Sequence, residues 1–390
     1  MIKIQSKDRC CGCGACQQVC PTNCISLAED QEGFLYPRVD VLRCVECGRC
    51  EHVCPLIHRA PKRRPLNIYA AKSRCDTTRE QSSSGGLFTL LANRIIEVGG
   101  VVFGAKFTDR WELEQAAAET IDAVAPLRGS KYLQSRTGDT STRVKCELQS
   151  GRDVMYVGTP CQIAGLKRFL SKDYDNLLTV DFICHGVASP KVWRRYLGEL
   201  SSGGSSDFIT AISFRNKELG WRNYCFKIWA KDNTPDKPDQ LIVNEHFADN
   251  IYMRGFLSSL YLRPSCYSCQ AKDGRSRSDI TLADYWGVAT SRPEFDDDRG
   301  VSAVMINSAK GRQYYPQNQV IAFDLTLEES RVDNGGFLPY RPMHPQRSRF
   351  FKGVDSALSM SEHIARHAAT RPRYARIYSK VVARLKNMLS

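Results

Sequence analysis

The sequence has no long uninterrupted hydrophobic run. Its longest apolar-rich stretch, residues 87–107, is broken by the charged side chains of Arg94, Glu97 and Lys106, and a stretch broken in this way does not make a membrane span. The first six residues, MIKIQS, contain no apolar signal segment. We therefore expect a cytoplasmic protein without a membrane span.

Two sequence features of nucleotide and nucleic-acid binding are also missing. No Gly-x-Gly-x-x-Gly run follows a strand pattern, so a Rossmann dinucleotide site is not supported. The formal net charge is +13, yet no recognised nucleic-acid motif accompanies it, and we expect no nucleic-acid partner.

Acidic residues are absent from the C-terminal segment, residues 363–390. Within it Ile377, Val381, Leu385 and Leu389 recur every four residues, which predicts a basic amphipathic helix. Such a helix can dock its apolar stripe on its own domain with the basic face in solvent. Alternatively, it can make peripheral contact with a membrane surface or bind an acidic partner.

Cysteine, in contrast, is abundant, with 17 residues. In a reducing compartment this number favours metal ligands over disulfides. The run Cys-x2-Cys-x2-Cys-x3-Cys-Pro occurs twice at a constant offset of 34 residues, starting at Cys10 and at Cys44. This duplication is typical of a bacterial ferredoxin with two 4Fe-4S clusters, in which the fourth cysteine of each run ligates the other cluster. Zinc is the alternative, but zinc sites rarely use this run twice.

The crossed ligand pattern gives two predicted cluster sites. The first comprises Cys10, Cys13, Cys16 and Cys54, and the second comprises Cys20, Cys44, Cys47 and Cys50. Cys11 and Cys24 lie outside the pattern. We expect both to be small buried apolar residues.

The remainder of the 390 residues is long enough for further cores. A Pro- and Arg-rich linker at 61–66 separates the ferredoxin domain, 1–60, from alternating strand and helix patterns over 67–340, and 341–390 forms a basic helical tail. We expect a mixed α/β fold. Predicted strands are 67–72, 100–107, 153–157, 177–183, 209–215 and 223–230, and predicted helices are 86–98 and 162–170.

Three junctions between predicted elements of this larger region contain candidate ligand-binding or metal-ligating residues. The first is Ser82-Ser-Ser-Gly-Gly86 before a helix, where serines can cap the helix and glycines allow a phosphate to approach, although Ser-Gly runs are also ordinary caps. The second junction places Cys161 directly after a predicted strand, and the third places Cys184 after the next one. Cys266 and Cys269 follow later in the chain. Four such cysteines suffice for one more cluster, but their spacing fits structural cysteines equally.

Seven motifs in order resemble those of the coenzyme F420 hydrogenase/dehydrogenase beta-subunit family. They are SSGG at 83–86, GSKY at 129–132, VGTPCQ at 157–162, DFICHGVASP at 181–190, FRNK at 214–217, CYSC at 266–269 and DITLADYWG at 279–287. Members of that family are iron-sulfur flavoproteins. The resemblance implies that Cys161, Cys184, Cys266 and Cys269 hold a third 4Fe-4S cluster. It also implies that FAD contacts Ser83, Ser84, Gly85, Gly86, Ser130, Lys131, Tyr132 and Thr159.

The resemblance further implies an electron relay. Ferredoxin, or another low-potential donor, reduces the clusters, and FAD passes electron pairs to a deazaflavin-type cofactor or a small organic substrate. His185 and Lys131 are the candidate catalytic residues, although a histidine after a strand is often structural and a lysine is often a surface residue. Two other readings remain. The chain can be an electron-transfer subunit serving a separate catalytic partner, or the later cysteines can bind zinc in a protein without flavin.

Overall fold

The computed structural model describes residues 1–200, 206–232 and 238–368. The ferredoxin region contains an antiparallel pair, β1 (Ile25–Glu29) and β2 (Leu35–Val39), and two short helices, α1 (Ala15–Gln18) and α2 (Arg49–His52). Each helix begins after a left-handed glycine, Gly14 at φ 73° and Gly48 at φ 72°. A residue without Cβ adopts that conformation without strain, so the duplicated sequence builds the same turn twice.

The larger region contains eleven strands in the described part of the chain. They are β3 (Asn67–Ser73), β4 (Val101–Phe107), β5 (Leu113–Ala118), β6 (Val154–Val157), β7 (Leu177–Phe182), β8 (Ile209–Asn216), β9 (Cys225–Ala230), β10 (Gln240–His246), β11 (Ile280–Asp284), β12 (Ser302–Ile306) and β13 (Val320–Asp324).

Helices cover these strands. They are α3 (Asp76–Glu80), α4 (Leu87–Glu97), α5 (Ile121–Val124), α6 (Thr140–Gln149), α7 (Pro160–Leu170), α8 (Pro190–Gly198), α9 (Ile251–Leu257), α10 (Val288–Ser291), α11 (Ala309–Tyr314), α12 (Leu327–Arg331), α13 (Arg347–Gly353) and α14 (Met360–Ala368). Each strand and helix predicted within residues 67–230 is confirmed to within two residues at either end. The mixed α/β class is confirmed as well.

One mixed sheet organises the large region in the order β13-β3-β12-β11-β7-β6-β4-β5. Strands β4, β6, β7 and β11 are parallel to one another, and β3 runs in the same direction because it pairs antiparallel to β12, which is itself antiparallel to β11. The carboxyl ends of these five strands therefore meet at one edge, where α/β sheets bind ligands. Strands β8, β9 and β10 form a separate antiparallel sheet.

The C-terminal helices join a large aromatic core. Trp193 of α8, Tyr252 of α9 and Phe350 of α13 are 0% exposed and belong to the same hydrophobic cluster as Ile364 of α14. Residues 341–368, assigned to the tail from sequence, thus pack against residues 67–340. The two segments together are called here the reductase region, after the activity that the family resemblance implies. The predicted basic helix over 377–389 lies outside the described residues. No helix in the described ranges has the length and apolar composition that a membrane crossing requires.

The two regions share an interface rich in arginine. The Arg347 guanidinium donates to both carboxylate oxygens of Glu32 at 3.0 and 2.6 Å, and Arg194 donates to both oxygens of Glu29 at 3.0 and 2.7 Å. Phe34, also from the ferredoxin region, is fully buried. Bidentate pairs fix orientation as well as contact, so the ferredoxin region is held in one position.

Candidate functional site

The structure brings together each of the two predicted ferredoxin cysteine sets. Cys10, Cys13, Cys16 and Cys54 line one small cavity, called here the proximal site. A second cavity, the distal site, is lined by Cys20, Cys44, Cys47 and Cys50. These are the sets that the crossed ferredoxin pattern predicts.

The two ferredoxin sites differ in their surroundings. Cys47 of the distal site is exposed, whereas the proximal site faces the reductase region. A Cβ on Gly165 of α7 would lie 2.8 Å from Cys13 Sγ, and the Thr137 hydroxyl donates to the Cys13 carbonyl at 3.1 Å. Glycine at position 165 therefore allows this close approach.

Arg263 connects the proximal site to the reductase region. It is 0% exposed, and its guanidinium donates to the carbonyls of Cys10 and Leu35, both at 2.8 Å. It also lies 3.6 Å from Cys10 Sγ and 4.3 Å from the centre of the Tyr36 ring. Arg263 therefore holds the ferredoxin backbone through hydrogen bonds and also places a positive charge beside a cysteine of the proximal site.

The four dispersed cysteines also come together. Cys161 opens α7 after β6, Cys184 follows β7, and Cys266 and Cys269 lie at a 3-10 turn; all four line a third cavity, the inner site. Burial raises the pKa of Cys266 to about 12 and also raises that of Cys184 and Cys269. Within the described ranges no three His, Cys, Asp or Glu side chains form a group suited to a single metal ion.

Cys11 does not behave as an ordinary buried apolar residue. Its side chain is only partly buried and lines both the inner and the proximal sites. Cys24 is buried as expected, although its Sγ lies 3.3 Å from that of Cys20. Spacing alone could not distinguish these two cysteines.

A large cavity of about 420 Å³ lies at the carboxyl edge of the mixed sheet. Seven of the eight predicted FAD contacts line it, namely Ser83, Ser84, Gly86, Ser130, Lys131, Tyr132 and Thr159, together with His185. Thr159, Cys184 and His185 line this cavity and also the inner site. The volume is in the range typical of cofactor pockets, and the two sites share a wall.

The Ser-Gly segment has a different role from the one expected. The predicted serine cap is wrong, because Gly86 is the N-cap of α4 at φ 92° and no side chain caps the helix. The Ser83 hydroxyl instead accepts from the Ser130 amide at 2.7 Å. Gly85 does not line the cavity; a Cβ there would lie 2.4 Å from the Ala71 carbonyl. The uncapped start of α4 leaves amides at the cavity wall, a favourable position for phosphate.

Lys131 lies on the same wall. Its ammonium donates to the carbonyls of Arg128 at 2.7 Å and of Leu127 and Gly129 at 3.3 Å. Burial lowers the pKa of Lys131 to about 7, because desolvation disfavours the charged form. This lysine is therefore not an ordinary surface residue, and its charge changes near neutral pH.

His185 stands between the large cavity and the inner site. Burial, together with the charges of Arg341 and Lys272, lowers the pKa of this imidazole to about 3. Its Nε2 lies 3.1 Å from the Ser259 hydroxyl, and its ring packs against Phe256 with centroids 4.7 Å apart. A neutral imidazole at pH 7 can donate or accept a hydrogen bond, but it cannot supply a proton as imidazolium.

Other cavity residues were not predicted as site residues. Arg215 donates to Asp284 at 2.7 Å, lies between the rings of Tyr224 and Trp286, and leaves Nε and Nη2 without partners among the described residues. Arg215, Asp284 and Trp286 fall in two of the motifs quoted above, which was a usable signal. Arg341 also lines the cavity, and no sequence pattern pointed to it.

The fold and the cysteine sites define an iron-sulfur oxidoreductase subunit. Three family models match: the 4Fe-4S dicluster domain over 9–56, the N-terminal domain of the coenzyme F420 hydrogenase/dehydrogenase beta subunit over 68–139, and its C-terminal domain over 151–324. The two beta-subunit models together cover more than half of the chain. The chain therefore belongs to the coenzyme F420 hydrogenase/dehydrogenase beta-subunit family, with an N-terminal 4Fe-4S dicluster domain.

A solved structure is also similar. It is a chain of the xenon-derivatised F420-reducing [NiFe] hydrogenase complex from Methanosarcina barkeri, at 15% identity and a TM-score of 0.45, with 78% of this chain and 91% of that chain covered. No curated protein matches the sequence.

Proposed function

We propose that this protein is an iron-sulfur flavoprotein that relays electrons from a low-potential donor to a two-electron acceptor. The observation that supports the proposal best is the order of the sites. The proximal and inner sites share Cys11 and Leu56 as lining residues, and the inner site shares Cys184 and His185 with the large cavity. Contiguous sites of this kind suit stepwise electron transfer.

The residues of each site fit the groups that the family implies. Each of the three small cavities is lined by the four cysteines of its set, the number that a 4Fe-4S cluster requires, and by one further cysteine, Cys11 or Cys24. The large cavity offers the free amides of α4 and the Lys131 ammonium for a diphosphate, and aromatic rings such as Tyr132 and Trp286 for a flavin. When bound, FAD supplies the conversion between single electrons and a hydride equivalent.

Several side chains would orient the bound groups. Ser83 fixes the turn that carries Lys131, because its hydroxyl accepts from the Ser130 amide. The His185 imidazole, whose Nε2 lies within hydrogen-bond distance of the Ser259 hydroxyl, separates the large cavity from the inner site. Asp181 accepts from the hydroxyls of Ser278 at 2.8 Å and Thr281 at 2.5 Å, and burial raises the pKa of its carboxyl.

The electron donor would dock at the distal end. Cys47 is exposed there, and its neighbours include the exposed apolar side chains of Val41, Leu42 and Val45, with Leu42 at 96% exposure. An apolar patch beside a cluster suits a transient contact with a redox protein such as ferredoxin. The acceptor is proposed to be a deazaflavin such as F420 or a small organic molecule.

Spectroscopy of the anaerobically purified protein tests the proposal. We expect broad cluster absorption near 400 nm, iron for three clusters, and FAD released on denaturation. Absorption without releasable flavin would contradict the flavin assignment, and iron for only two clusters would contradict the inner site. Reduction of F420 or a candidate substrate by the isolated chain, with only reduced ferredoxin supplied, would argue against a subunit that requires a separate catalytic partner.

The charge of Lys131 predicts a pH dependence of FAD binding. The pKa of this lysine is about 7 in the folded protein, so the ammonium is present below pH 7 and is lost as the pH rises through that value. Since a charged hydrogen bond contributes about 1.5 to 3 kcal/mol, the affinity for FAD should fall about tenfold or more between pH 6 and pH 8.5. Titration of flavin-depleted protein with FAD at several pH values measures this change.

Two variants make the pH test specific. Lys131→Met should bind FAD weakly at every pH and lose the dependence, whereas Lys145→Met, which removes an exposed lysine of α6, should behave like the wild type. A dependence that persists in Lys131→Met would show that another group titrates.

A further inference from the structure

An ion pair in the wall of the large cavity retains unused hydrogen-bonding groups. Arg215 of β8 donates through Nη1 to Oδ2 of Asp284, at the end of β11, at 2.7 Å, and both side chains line the cavity. Nε and Nη2 of Arg215 and Oδ1 of Asp284 are buried and have no hydrogen-bond partner among the described residues. Unpaired buried polar groups are costly, so we expect their partner to be a molecule bound in the cavity.

The guanidinium of Arg215 is held in one orientation. The side chain is 2% exposed, and its Cζ lies 4.8 Å from the centre of the Tyr224 ring and 5.0 Å from that of the Trp286 ring. Trp286 is itself stacked on Trp221, with ring centres 4.4 Å apart. A guanidinium packed against aromatic rings is a planar donor in a fixed place, which suits recognition of a planar ligand group.

The free groups of this ion pair indicate which kind of ligand group they bind. The two free N–H positions of Arg215 require an acceptor, and the free carboxylate oxygen of Asp284 requires a donor. They lie close together because one 2.7 Å hydrogen bond joins the two side chains. A carboxylate or phosphate would satisfy only Arg215 and would be repelled by Asp284. An imide edge, in which a ring N–H lies beside a carbonyl oxygen, satisfies both residues.

We propose that Arg215 and Asp284 bind the imide edge of a planar heterocycle in the large cavity. The ligand carbonyl accepts from the Arg215 guanidinium, and the ligand N–H donates to Asp284 Oδ1. This inference rests on the proposed function, since the pyrimidine end of an isoalloxazine ring is such an edge. Two sources share this chemistry, FAD itself and a deazaflavin acceptor. The pair therefore selects the ring system that binds and changes no covalent bond.

Flavin methylated at the imide nitrogen tests this inference in full-length, cluster-loaded protein depleted of flavin. Methylation removes the ligand N–H, and Arg215→Lys removes the planar donor fork but keeps a positive charge beside Asp284. We expect each change alone to raise the Kd for FAD about tenfold or more. Together they should raise it by less than the product of the two factors, because both changes act on the same edge. Fluorescence titration measures the four Kd values.

A second arm distinguishes the two sources of the edge. Equilibrium dialysis compares 5-deazariboflavin with its N3-methyl derivative on FAD-loaded protein. A preference for unmethylated FAD assigns the edge to the cofactor, whereas a preference for unmethylated deazariboflavin alone assigns it to the acceptor, and either result supports the inference. The matched control is Arg222→Met. Arg222 pairs with Asp296 and lies over the Trp221 ring but does not line the large cavity, so every affinity should stay unchanged.

The remaining outcomes overturn this inference. If the wild type binds the methylated and unmethylated forms of both ligands equally, no imide edge is recognised. If Arg215→Lys weakens binding but keeps the full preference for the unmethylated ligand, the arginine affects the cavity in another way. Should the variant fail to fold, the comparison of ligands on the wild type still decides the question. Wild-type protein purified without flavin would contradict the proposed function itself, whatever the ion pair binds.

Discussion

Arg263→Met is expected to lower the free energy of unfolding by about 3 kcal/mol or more, since hydrogen bonds from a charged donor contribute about 1.5 to 3 kcal/mol each. The side chain is 0% exposed, and its loss would leave the carbonyls of Cys10 and Leu35 without their donor. Methionine fills much of the volume but donates no hydrogen bond. The midpoint of anaerobic urea unfolding measures the change.

The control variant distinguishes the loss of a buried arginine from the loss of an exposed one. Arg136→Met removes another arginine that joins the two regions, through an ion pair with Glu29 at 3.2 Å, but that side chain is 45% exposed. Exposed ion pairs contribute about 0 to 1 kcal/mol, so we expect a small effect. Equal losses for the two variants would show that the interface depends on charge in general and not on the buried position of Arg263.

Removing two inner-site cysteines is expected to abolish donor-driven flavin reduction. In the double variant Cys266→Ala and Cys269→Ala, half of the proposed ligands are lost, and the protein should contain iron for two clusters only. Neither residue lines the large cavity, so FAD content should remain close to that of the wild type. Reduction of the flavin by reduced ferredoxin should fall below detection, whereas direct reduction by dithionite should persist.

The same measurements on Cys225→Ala provide the control for loss of a buried cysteine. That residue is 3% exposed and lies on β9. It should retain three clusters and donor-driven reduction. If the double variant still passes electrons from ferredoxin to flavin at the wild-type rate, then the inner site is not on the route, and the electrons reach the large cavity directly from the proximal site.

Deletion of the ferredoxin region is expected to damage the inner site. A separate domain joined by a linker could be removed at about residue 60 without harm to the reductase region. However, Asp8, Cys11 and Leu56 form part of the inner-site wall, and Glu32 neutralises the Arg347 guanidinium, whose side chain is 8% exposed. Deletion would open the inner site and leave that guanidinium unpaired. Point substitutions are therefore the better way to distinguish the role of the ferredoxin region from that of the reductase region.

Local pattern was sufficient for the strands and helices that the structure describes, and it is also the basis on which the ferredoxin ligands are predicted. The doubled cysteine run constrains eight thiols through short loops, and the left-handed glycines Gly14 and Gly48 build the turns wherever the chain goes. The strand predicted over 177–183 was correct because a parallel strand buried on both faces is a mainly apolar run, interrupted here by Thr179 and Asp181. The serine cap of α4 was wrong because Ser83 and Ser84 bond to distant backbone at Ser130 and Val301 instead.

The sequence alone indicated an iron-sulfur electron-transfer protein. Cluster ligation in the ferredoxin runs depends on spacings of two and three residues, which tertiary packing does not change. The inner site was decided only by the tertiary structure. Cys161 and Cys184 meet because the parallel strands β6 and β7 end at one edge of the sheet. The 3-10 turn that carries Cys266 lies against the same edge and completes the cavity lining. Cys11 likewise acquires its place between two sites only when Arg263 and Gln134 hold the ferredoxin loop against the reductase region.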